Sequence, residues 1–147
     1  MNRRDRKLSC LTMMTTGLAL SLSCAAAMAD VVAVVSAKSP LTELSRNQIA
    51  NLFLGNASML VNGEPVIPID MAVGTPLRDE FYASYAAKSP AQIRAHWSKL
   101  IFTGRGQPPK EAASSSDLKK MIADNPRAIG YLDPGRIDAS VRALLSP

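Results

Sequence analysis

Cysteine is nearly missing from this chain. There are two, Cys10 and Cys24, and both lie in the first 24 of 147 residues. The rest therefore has no disulfide, no thiol nucleophile and no thiolate metal site. Histidine is as scarce: His96 stands alone, with no second histidine or later cysteine to share a metal. It reads as a surface or half-buried side chain. Aromatic residues make up 5% of the chain and no basic stripe is interleaved with them, which excludes the usual nucleic-acid surface. No Gly-x-Ser-x-Gly elbow, Walker loop or His-Glu-x-x-His helix occurs. With those gone, an enzyme is not expected, nor a catalytic residue or a cofactor. There is no internal repeat, low-complexity tract or long linker.

What the chain does have begins with residues 1–29, which read as a secretory signal peptide. Arg3, Arg4, Arg6 and Lys7 form a basic start, Leu8 to Ala27 is uncharged, and Ala27-Met28-Ala29 gives a small-x-small cleavage site. The competing readings are an uncleaved membrane anchor, a twin-arginine signal at Arg3-Arg4, and lipidation at Cys24. Residues 1–29 hold four of the 17 Lys and Arg and one of the 12 Asp and Glu, so the remainder carries 13 against 11, a net of +2. Residues 30–147 suffice for one domain with a modest core.

In that part, Val31 to Val35 is a β-branched and small run that reads as a buried strand. Ser36 to Pro40 is a polar loop. Ser45 and Gln48 form a capping-box pattern before Ile49, Leu52 and Phe53, and Gly55 ends that helix. Asn62-Gly63 marks a turn. Residues 66–70 read as a strand, which Pro65 and Pro68 place at an edge or make irregular. Ser89 and Gln92 repeat the capping grammar for a helix burying Ile93, Trp97, Leu100 and Ile101. Gly104 to Pro109 is a loop. A short helix from about Asp117 turns Leu118, Met121 and Ile122 inward and stops at Asn125-Pro126. Residues 128–132 read as a strand closed by Asp133-Pro134-Gly135, and 141–145 as a last short strand. Strands alternating with helices define an α/β domain.

The most informative stretch is Gly74-Thr75-Pro76-Leu77-Arg78-Asp79-Glu80-Phe81-Tyr82. It follows the strand at 66–70. A glycine-bearing turn opens a helix capped by Thr75, with Pro76 first and Leu77, Phe81 and Tyr85 as its apolar stripe. Unpaired N–H groups and the positive end of the helix dipole make such a start an anion-sized site. The Thr75 hydroxyl and the N–H groups of Thr75 and Leu77 are the expected donors. Arg78 either reaches back to the same anion, is solvated, or pairs with Asp79 or Glu80. Arg105, between two glycines in a loop, is a second basic candidate. Lys38 and Ser39 follow the first strand, where ligands sit in open α/β sheets, and Tyr131 either lines that edge or packs.

Four pieces carry a resemblance. They are the segment from Leu44-Ser45 to Leu52-Phe53-Leu54-Gly55, the Gly74-Thr75 turn with Phe81-Tyr82, the Trp97 helix, and Ala128-Ile129-Gly130-Tyr131. Over most of residues 31–145 the chain resembles the phosphate-type substrate-binding proteins of ABC transporters, in a short single-domain form. The resemblance implies one periplasmic-binding-protein-like α/β domain over residues 30–147, with a mixed sheet flanked by helices. It implies a periplasmic protein holding phosphate or a similar small oxyanion for ABC-type uptake. Of the ligand-binding residues the resemblance carries over only Gly74 and Thr75; Arg78, Ser39, Lys38 and Arg105 are the candidate helpers read from the residues themselves. The partners would be an ABC permease or envelope protein, or a second copy that rebuilds a two-lobed cleft. The chain is about one lobe long, and Asp70 stands near the place where the resemblance expects an arginine. A carboxylate there repels phosphate, so Asp70→Arg is expected to raise affinity. The alternative function is a single-lobe interaction module that has lost its ligand.

Overall fold

The computed structural model describes residues 31–56, 60–61 and 63–144. The expected signal peptide with both cysteines, Asn62 of the expected turn, and Leu145 of the last strand lie outside the described residues. Along the chain the elements are β1 (Val32–Ser36), α1 (Arg46–Phe53), β2 (Leu60–Val61), β3 (Glu64–Pro65), β4 (Ile67–Met71), α2 (Pro76–Ala86), α3 (Pro90–Phe102), β5 (Lys110–Ala112), α4 (Ser115–Ala123), β6 (Ala128–Leu132), a 3-10 turn (Pro134–Arg136) and β7 (Val141–Ala143). Five strands form one mixed sheet in the order β5-β4-β6-β1-β7, and β2 and β3 pair separately. The chain is an α/β fold with helices on its sheet.

Local chemistry accounts for the helix starts. Ser45 and Ser89 each accept from the N–H three residues on, and Gln48 and Gln92 each accept from the cap N–H at 2.8 Å. Both capping boxes satisfy donors that the helix cannot. Ser114 caps α4 in the same way, so that helix starts two residues before Asp117. Gly55 follows α1 with φ at +66°, where a Cβ would also stand 3.1 Å from the Trp97 ring.

Helices cover both faces of the sheet. Successive strand residues point to opposite faces. Gly130 of β6 meets Leu118 and Ile122 of α4, while its neighbour Tyr131 stacks on Phe81 of α2 with ring centroids 4.0 Å apart. β6 is buried along its whole length and β1 from Ala33 onward. Phe53, Phe81, Tyr82 and Tyr131 form an aromatic cluster between β6 and the α1–α2 pair.

Three expectations are corrected. β4 is not an edge strand: it lies between β5 and β6, parallel to both. Pro68 is tolerated because the Ile67 N–H goes to Arg127 O on the β6 side. The missing Pro68 N–H would face β5, whose pairing begins only at Ile69. Ile101 is 55% exposed and not on the buried face of α3, because the helix end runs past its neighbours; Phe102 beside it is 93% exposed. Finally, β5 has no counterpart in the expected elements.

Candidate functional site

The site is built on the junction of β4 and α2. After Met71 the chain turns through Ala72 to Thr75, with Gly74 at φ +88°, a backbone conformation that costs a Cβ-bearing residue. Thr75 is the N-cap and Pro76 the first helical residue, as expected. The donors are used differently from the expectation. Thr75 turns its hydroxyl back to Ala72 O at 2.9 Å, and its N–H goes to the same oxygen at 3.3 Å. The N–H groups of Arg78 and Asp79 both go to Thr75 O. Gly74 and Leu77 keep N–H groups without an acceptor among the described residues.

Asp70, one residue before the end of this strand, is a buried carboxylate, 1% exposed. Arg78 Nε donates to its Oδ2 at 3.0 Å, and the Tyr82 hydroxyl to the same oxygen at 2.8 Å. The Tyr131 hydroxyl and the Met71 N–H donate to Oδ1. Four donors from β4, α2 and β6 thus converge on one carboxylate, which is how a buried charge becomes tolerable. Burial raises the pKa of both phenols far above the ordinary tyrosine value, and the Asp70 charge raises them further. Burial alone pulls the Arg78 guanidinium down, but the charge and hydrogen bond of Asp70 outweigh it and the net direction is up. The Trp97 indole N–H is buried without a partner of hydrogen-bond geometry among the described residues.

This cluster corrects the reading of Asp70 and Arg78. Asp70 is not an unpaired charge beside the turn, because Arg78 pairs with it inside the core. Arg78 is neither solvated nor paired with Asp79 or Glu80: it is 3% exposed and bound to Asp70. Asp70→Arg would place a second guanidinium against the first and remove the acceptor of two phenols, so it would disrupt folding. Tyr131 packs and donates within the core.

The sequence-derived site residues fall into separate places. Gly74 and Thr75 lie at the carboxyl end of β4. Lys38 and Ser39 follow β1, which runs antiparallel to β6 and therefore to β4. They stand at the opposite end of the sheet, and Ser39 serves its own loop, accepting from Leu41 N–H and, through its carbonyl, from Arg142. Arg105 is exposed on the α3–β5 loop, beside a hollow of about 350 Å³ lined with Ile101, Gly104, Gly106 and Gln107. His96 is half-buried, and its Nε2 lies 2.8 Å from Leu54 O, tying α3 to the end of α1. No group of three or more His, Cys, Asp or Glu side chains that would hold a metal occurs among the described residues.

One grouping was missed. A recess of about 210 Å³ opens beside the α2 start, lined by Arg78, Arg94, Trp97, Ser98, Ile101 and Glu111 among others. Residues 94, 97, 98 and 101 recur at helical spacing on α3, a stripe legible in sequence but for its mixed polarity.

The α/β fold is similar to part of two solved structures. The chain is similar to a phosphate ABC transporter substrate-binding protein from Clostridium perfringens, solved with bound phosphate. Identity is 21% and the TM-score 0.59, over 78% of this chain and 43% of that one. It is similar also to an ABC-type phosphate transport receptor from Vibrio cholerae, at 19% identity and TM-score 0.50, over 78% of this chain and 44% of that one. The chain thus spans less than half the length of these proteins. No protein-family model and no curated protein matches it.

Proposed function

We propose that this protein is an exported, non-enzymatic solute-binding domain of the periplasm. It would take a small oxyanion, phosphate first, at the start of α2 for ABC-type uptake. The observation that carries this reading is the pair of N–H groups of Gly74 and Leu77, without an acceptor among the described residues, at the positive end of α2 beside Arg78. The likeness of the fold to two phosphate-transport proteins supports it. Thr75 contributes its backbone turn to such a site and not its hydroxyl, and Lys38 and Ser39 have no part in it. Arg105 lines a separate hollow on the α3–β5 loop and is not assigned to the site. An anion held there is half in solvent, so affinity is modest unless a second lobe or copy closes over it.

A second reading has its own observation. Ile101 and Phe102 stand exposed at the end of α3. That favours a single-lobe module that binds an envelope protein in place of a solute. Calorimetric titration with phosphate at low ionic strength, with sulfate as competitor, separates the two. Saturable heat supports solute binding, and one anion per two chains would mean that a homodimer builds the site. Heat no greater than dilution up to millimolar phosphate supports the interaction module.

A further inference from the structure

The recess between α2, α3 and β5 has a feature that the phosphate reading does not use. Arg78 is held by Asp70 through Nε alone, and its guanidinium carbon lies 5.2 Å from the centroid of the Tyr82 ring. The two terminal Nη groups make no hydrogen bond among the described residues, although the side chain is only 4% exposed and lines the recess. A buried, charged and immobilised fork is thus left with its outer donors free on the recess side. Such a group has already lost its rotamer freedom, so a ligand meets a preorganised donor.

The other lining residues limit what fits. Arg94 and Ser98 are exposed on α3, one turn apart, and add a second guanidinium and a hydroxyl. The remaining wall is apolar, from Trp97 and the exposed Ile101, and Glu111 brings a carboxylate to the same recess. A phosphate dianion would press its remaining oxygens against that wall and its second charge toward Glu111, both unfavourable. A carboxylate has two oxygens, which two guanidinium forks satisfy in plane. It carries one charge, and an apolar substituent would lie on Ile101 and the indole.

We propose that this recess binds a small organic carboxylate, its head on the Arg78 Nη groups and Arg94 and its apolar tail on Ile101 and Trp97. The proposal does not depend on phosphate binding at the α2 start. Trp97 is the sole tryptophan of the chain, so its fluorescence reports on the recess. The test titrates the purified protein with cyclohexanecarboxylate up to about 10 mM, with cyclohexanemethanol and inorganic phosphate in parallel. The expected result is a saturable change with the carboxylate alone. Arg94→Gln should weaken it about tenfold or more, and Ile101→Glu should abolish it, both with unchanged thermal midpoints, since both side chains are exposed. No saturable change overturns the proposal. So does a change that survives Arg94→Gln, or one that the alcohol or phosphate reproduces equally. Calorimetric phosphate binding in a protein whose tryptophan fluorescence gives no saturable change with the carboxylate would leave the α2 site standing while this one fails, so the two outcomes are separable.

Discussion

Asp70 shows how one side chain can hold three elements together. Its carboxylate gathers donors from α2 and β6 onto the end of β4. Removing the charge leaves Arg78 buried and unpaired, and breaking such a pair costs about 3–5 kcal/mol. Asp70→Asn should therefore lower the unfolding free energy from urea denaturation by that amount, and Asp70→Asn with Arg78→Met should recover part of the loss. The Tyr82 and Tyr131 phenols have pKa values raised above 10.0 in the folded protein, by burial first and the Asp70 charge second. The unfolded state then releases protons that the folded state keeps. The stability linked to these groups is complete below about pH 10 and falls as pH rises beyond it, by about 2.7 kcal/mol per pH unit for two such groups. Denaturation followed from pH 9 upward should show that slope, and Tyr82→Phe with Tyr131→Phe should remove it.

Among the elements, α4 sits on β6 through a glycine. A Cβ at Gly130 would lie 2.4 Å from Ile122 Cδ1 and 3.2 Å from Leu118 Cδ1. Overpacking of this kind costs about 1–3 kcal/mol. Gly130→Ala should destabilise by that much in thermal or urea denaturation. Ile122→Val removes the Cδ1 atom nearest the added methyl, so the double variant should be more stable than the two single effects predict. Other elements were plain in the residues alone. The Ser45–Gln48 and Ser89–Gln92 boxes mark their helices because the capping partners are three residues apart. β5 was not legible: Lys110-Glu111-Ala112 is short and charged, and becomes a strand because Ile69 to Met71 offers it a partner.

Across the whole molecule, the direction of each strand decides which candidate residues can meet. Because β1 runs against β4, Lys38 and Ser39 face one end of the sheet and Gly74 and Thr75 the other. Lys38→Ala with Ser39→Ala should leave anion affinity within about twofold in the phosphate titration, as distant sites do not couple. Exposure acts at the same scale. Gly74 and Pro76 are exposed, so an anion at the α2 start is open to water, which is why stoichiometry matters in that titration.

The residues by themselves determined what depends on near neighbours: the buried β-branched strand, the helix starts, the Gly74 turn, and an α/β class from their alternation. Those signals are local, because caps, turns and periodicity act over a few residues. Only the tertiary structure decided what depends on separation in sequence: that β4 is interior despite Pro68, that Asp70 and Arg78 neutralise each other, and that Arg94 joins Arg78 at a recess. Pairing across eight residues of strand, turn and helix leaves no periodic trace, and the partner of a charge is set by how the sheet and helices pack.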